Sequence, residues 1–143
     1  MQGPQSGGEV PIYDAREAAR IVLAESPDIA GVQLTYTAGA YKGRMATHSV
    51  VSADPIYGNT VRIRMTPKHN KLFGLPSNWT ESAFYAKIDD VLSRSEITQV
   101  PLAAGSIIYI NNRITLHAQR PYTGTVRYLR VRFDDPNNVL MHL

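Results

Sequence analysis

The chain has 143 residues, of which 43% are hydrophobic and 19% charged, with a formal net charge of +3. That describes one globular domain with a real core and gives no reason for a second. Cysteine is absent, which excludes disulfides, zinc–thiolate centres and thiol catalysis. Basic residues are spread along the chain instead of gathered into a nucleic-acid stripe.

The N-terminal stretch "MQGPQSGGEVPIYDA" has no basic start followed by an apolar run, so it does not read as a secretory signal. No stretch approaches the roughly 20 apolar residues of a membrane helix. Without a signal, the glycosylation pattern "NWT" at 78–80 reads as chance. These features predict a soluble, cytoplasmic protein that binds neither membrane nor nucleic acid.

In chain order, residues 2–8 are a loop by composition. Asp14 followed by Glu17 predicts a helix start, and the helix runs to "SP" at 26–27. Residues 31–37 alternate, with Val32, Leu34 and Tyr36 on one face and Gln33, Thr35 and Thr37 on the other, a half-buried strand. "AGAYKGR" is a loop. "HSVVS" and "TVRIRM" read as strands joined by the turn-rich "ADPIYGN". A second helix starts near Thr80 and runs to about residue 94, with Phe84, Ile88, Val91 and Leu92 as one apolar stripe. "ITQVPL" and "SIIYI" follow as strands, and a hairpin over 110–133 closes the pattern. The expectation is a single domain over 1–143, mainly β with flanking helices, of the sandwich or jelly-roll kind.

Within "TVRYLRVRF", Arg127 shares its face with Leu129, Val131 and Phe133, while Arg130 and Arg132 point with Tyr128 to the other side. An arginine on an apolar face is costly unless it is paired, and a carboxylate suits it through two parallel hydrogen bonds. The alternation leaves two outcomes open: a ligand carboxylate, or an internal ion pair or kink that needs no ligand. His117, alone after an apolar run, is equally compatible with a packed or surface residue.

Beyond these patterns, nearly the whole chain resembles the Fe(II)/2-oxoglutarate-dependent oxygenases of the taurine dioxygenase and clavaminate synthase-like superfamily. "SGGEVPIYDAREAARIVLAESPD" resembles a Gly-Gly-Glu-Thr-Pro stretch leading into a helix. "HSVVSADPIYGNTVRIRM" resembles the strand–turn–strand before the long helix. "PLAAGSIIYINNRITLHAQRPYTGTVRYLRVRF" resembles the C-terminal signature, and it is the most specific of the three. The resemblance implies an incomplete double-stranded β-helix (jelly roll). It also implies His117 as the distal iron ligand, Arg127 as the group holding the distal carboxylate of 2-oxoglutarate, and Asn112 and Arg113 as supporting residues. Such a site needs two imidazoles and one carboxylate on one face of the metal.

The sequence departs from that pattern in three places. None of its four histidines is followed two residues later by Asp or Glu, so the pair that completes the iron site is missing. Val10 stands where the family commonly has a cosubstrate-contacting threonine. "AAGS" replaces Gly-Asp, and Gln119 replaces an arginine. In the family the missing pair lies upstream of the Gly-Gly segment. The chain is therefore expected to be a truncated oxygenase, or one part of a split enzyme with an N-terminal partner, acting on a small organic molecule. On that view neither iron nor 2-oxoglutarate binds it tightly alone. The competing reading is a metal-free binding or scaffolding domain of the same fold that grips a carboxylate ligand. A nucleic-acid module built on Arg113, Arg120, Arg127, Arg130 and Arg132 is disfavoured because the arginines divide between two faces. The primary substrate is not legible.

Overall fold

The structure, a computed structural model, describes residues 6–36, 46–63, 70–101, 103–118 and 120–123. Among these, strands predominate, with ten strands and three helices. The strands are β1 (Ser6–Gly7), β2 (Val10–Asp14), β3 (Gln33–Tyr36), β4 (Ala46–Ser49), β5 (Val51–Asp54), β6 (Gly58–Val61), β7 (Asn70–Phe73), β8 (Glu96–Val100), β9 (Thr115–His117) and β10 (Tyr122–Thr123). The helices are α1 (Ala15–Glu25), α2 (Pro27–Ala30) and α3 (Glu81–Arg94).

Both predicted helices form for the reasons their sequences suggest. Asp14 caps α1 by accepting from the Arg16 and Glu17 amides, which satisfies donors that have no partner inside the helix. Thr80 caps α3 through the Ala83 amide, and Phe84, Ile88, Val91 and Leu92 are all buried. The "SP" pair ends α1, but Pro27 also begins α2, which the sequence reading did not anticipate. Proline suits a first helical position because its missing N–H would have had no partner there.

The main core lies where α1, α2 and α3 meet the strands around Val32, Leu34, Val50 and Val61, with α1 packed chiefly on β6. Val32 and Leu34 are buried as their alternation requires; the Tyr36 side chain and Thr37 lie outside the described residues. On the polar face of β3, Gln33 donates to Ser49 Oγ at 2.6 Å, and the Thr35 and Thr47 hydroxyls are 2.7 Å apart.

Three strand expectations need correction. "HSVVS" is not one strand but two, divided at Val50. The Val50 amide donates to Val32, extending the β3–β4 ladder, while its carbonyl accepts from Arg62, extending β5–β6. Val50 is fully buried at this change of sheet. "SIIYI" (106–110) belongs to no strand among the described residues, and Ile107 and Tyr109 are 95% and 82% exposed. A segment apolar on both faces needs neighbours on both to be a sheet strand. Finally, β7 (Asn70–Phe73) and β2 were not anticipated, because four or five residues without clean alternation carry little periodic signal. The loop at 38–44, the end of "TVRIRM" and the strand over 125–133 lie outside the described residues.

The sheet that carries the candidate site has the order β8–β2–β9, all antiparallel. The β1–β10 pair continues the β2–β9 ladder in the same register. Bonds from Gly8 N to Pro121 O, Arg120 N to Glu9 O and Ala118 N to Pro11 O bridge the gap. Gly8 sits at the junction with a φ of 83°, a conformation that favours glycine.

Candidate active site

His117 ends β9 directly opposite Ile12 of the central strand. Side chains alternate along a strand, so its neighbour Leu116, opposite Tyr13, faces the other way. Tyr13 and Leu116 pack against the main core, whereas His117 is exposed and Ile12 half-buried. Val10 lies two residues along β2 on the same face as Ile12, diagonal to His117. Thr98 and Val100, opposite Ile12 and Val10 on β8, complete that face. The register thus brings together the two positions, 10 and 117, that the sequence comparison had singled out separately. Val10 is buried and offers only methyl groups there.

The turn that feeds β9 is built on Asn111. Its carbonyl accepts from the Ile114 and Thr115 amides and from the Thr115 hydroxyl, and its side-chain oxygen accepts from the Arg113 amide at 3.0 Å. Asn112 is exposed in this turn. Arg113 is not: only 8% of its side chain is accessible, against 1% for its partner Asp54. Arg113 Nε donates to Asp54 Oδ2 and Nη2 to Oδ1, both at 2.9 Å, a bidentate grip across 59 residues. The guanidinium also lies over the Tyr57 ring, 5.3 Å from its centroid, and Asn111 Nδ2 donates to Tyr57 Oη at 3.3 Å.

Asp54 has a second task. It ends β5, and its Oδ1 accepts from the Ile56 and Tyr57 amides at 2.9 and 3.0 Å, shaping the three-residue loop into β6. Gly58 follows with a φ of 77°, as such hairpin loops require. Burial pushes the Asp54 carboxyl upward. The Arg113 hydrogen bonds, the two turn amides and the guanidinium charge outweigh it and hold the group below the ordinary carboxylate range. Arg62 Nη2 stands 3.8 Å away as a weaker second cation. The sequence reading gave Arg113 a supporting role only and did not anticipate its buried ion pair. Asp54 was missed; the legible hint was an Asp opening the "DPIYG" turn, a residue type that binds its own following amides.

Arg127 and Gln119 lie outside the described residues, so the structure does not bear on whether Arg127 shares the His117 face. His48 is half-buried on β4; burial, then the charge of Arg62, pull its pKa down against the opposing effect of the Ser49 carbonyl. His69 and His142 lie outside the described residues. Among the described residues no group of three or more His, Asp or Glu side chains could hold a metal. Together with the missing His-x-Asp/Glu pair, this means that the described residues do not by themselves fit an iron site: His117 could occupy one position, and the Val10 side chain cannot hydrogen-bond a cosubstrate.

Residues 2–132 match the family described as Taurine catabolism dioxygenase TauD, TfdA family. The chain belongs to that family. No curated protein and no solved structure gives a significant match. Membership in the TauD/TfdA family accounts for the strand-rich architecture and supports a dioxygenase, hence oxidoreductase, lineage; its members use Fe(II) and 2-oxoglutarate. No described helix of this TauD/TfdA chain is long and apolar enough to cross a membrane.

Proposed function

We propose that this chain is the C-terminal portion of an Fe(II)/2-oxoglutarate-dependent dioxygenase that oxidises a small organic substrate. The carrying observation is the family match over residues 2–132, which includes His117, Asn112, Arg113 and Arg127. In this reading His117 supplies one imidazole to the metal and Arg127 grips the far carboxylate of 2-oxoglutarate. A His-x-Asp or His-x-Glu pair comes from outside these 143 residues, from preceding sequence or from a partner chain. Closure into a double-stranded β-helix belongs to the same proposal.

The test is 2-oxoglutarate-dependent succinate formation with added Fe(II), for the chain alone and mixed with a polypeptide carrying the missing pair. Negligible turnover is expected alone, because one histidine is too few ligands for a tight site. Turnover is expected in the mixture, and His117→Ala or Arg127→Ala is expected to abolish it. A complemented mixture with no turnover overturns the reading. Val10 favours a second reading, a metal-free domain that binds a carboxylate ligand. That reading expects 2-oxoglutarate to bind without metal and to weaken on Arg127→Ala, while His117→Ala leaves binding unchanged.

A further inference from the structure

We propose that Asp54 is a positioning residue for His117, acting through Arg113 to fix the turn from which β9 departs. The argument is geometric. The backbone that must hold His117 opposite Ile12 issues from the 111–114 turn, and Arg113 is four residues before the imidazole. The backbone bonds of that turn to Asn111 are local and could form in a turn that swings as a unit. On the side of the β5–β6 loop, the turn is tied to the rest of the molecule by the Arg113 side chain, held at two atoms by a carboxylate that is itself fixed by two amides of that loop. Tyr57 completes the same assembly, with its ring under the guanidinium and its hydroxyl accepting from Asn111.

Several separate contacts therefore converge on one turn, and all come from the Asp54–Tyr57 segment. A simple stabilising pair would not need to engage both the turn's arginine and its asparagine. A planar guanidinium gripped at two atoms fixes orientation as well as distance, which a lysine ammonium cannot do. On the far side, the Ile114 carbonyl accepts from Ala15 N at 2.9 Å. The turn is thus held between the first residue of α1 and the β5–β6 loop, and β9 starts from a set position and direction.

The value of this positioning for catalysis rests on the reading of His117 given above; the mechanical coupling does not. Hydrogen exchange on the metal-free chain separates the two. In Asp54→Asn, the Asn side-chain oxygen still serves the loop amides, but the charge that holds Arg113 is gone. The protection of the Ala15 and Ala118 amides, which donate to Ile114 and Pro11 across the ladder, is expected to fall by about tenfold or more while that of α3 is unchanged, the signature of local opening. The double variant Asp54→Asn/Arg113→Gln is expected to lose no more protection than the worse single variant, because both remove one interaction. If Asp54→Asn does not fold, Arg113→Lys carries the same expectation, since it keeps the charge without the two parallel bonds. Equal loss in α3 and in the β2–β9 ladder would reduce the pair to a general stabiliser and overturn the proposal, as would unchanged protection at Ala15 and Ala118. A coupling that is present in a chain whose complemented mixture shows no turnover would leave this inference standing and remove the dioxygenase reading.

Discussion

Leu116 and His117 are adjacent on a three-residue strand and stand in different media. Leu116 and its partner Tyr13 lie against the helix-covered core; His117 and its partner Ile12 occupy the opposite face, where the histidine is exposed. One strand therefore turns one side to the core and the other, with the candidate site residue, to solvent, and the period of two is what separates them. The lesson is that a site residue in this fold can be exchanged at little cost in stability only while the register beneath it holds.

The largest blow to the core side is Phe84→Ala. Phe84 is fully buried in the centre of the cluster, so a loss of about 3–5 kcal/mol is expected from denaturant unfolding. Leu116→Ala, at a half-buried position on the edge of that cluster, is expected to lose about 1–2 kcal/mol. His117→Ala is expected to lose less than Leu116→Ala, because the His117 side chain is exposed and Leu116 packs on the core. Equal losses for Leu116→Ala and His117→Ala would break the contrast between the two faces.

The smallest effect belongs to the water-facing side of the helices. Glu25, at the end of α1, accepts from Arg94 at 2.7 and 2.9 Å and from Lys87 at 2.7 Å. The Arg94 and Lys87 hydrogen bonds hold its carboxyl at about 2, below its ordinary 4.5. A depressed carboxylate adds stability above its unfolded value, and that contribution is lost as pH falls from about 4.5 toward 2. Glu25→Gln should therefore lower stability slightly above about pH 4.5 and flatten the acid limb of a pH–stability curve by the same small amount, small because the group is solvent-screened. Asp54 shares the sign in a dry setting. Its charge stabilises the fold at neutral pH, and that support is lost as pH falls below the ordinary carboxylate range.

The helices were legible because each combines a local cap with a local stripe: Asp14 and Thr80 start them, and Phe84 through Leu92 show which face goes inward. "SIIYI" forms no strand among the described residues for the complementary reason. Alternation and β-branched content describe a segment able to be a strand, but a strand exists only where another backbone offers a ladder. The family, too, was readable from the order and spacing around His117, and the match over residues 2–132 bears it out.

The sequence by itself determined the strand-and-helix composition, the position of both long helices, the family, and the absence of a His-x-Asp/Glu pair, because each is written in neighbouring residues. Only the tertiary structure decided that Val10 and His117 share a face, that Val50 carries the chain from one sheet to another, and that Asp54 grips Arg113 from 59 residues away. Register and long-range pairing are fixed by the packing of whole elements, and no short window of sequence contains both partners.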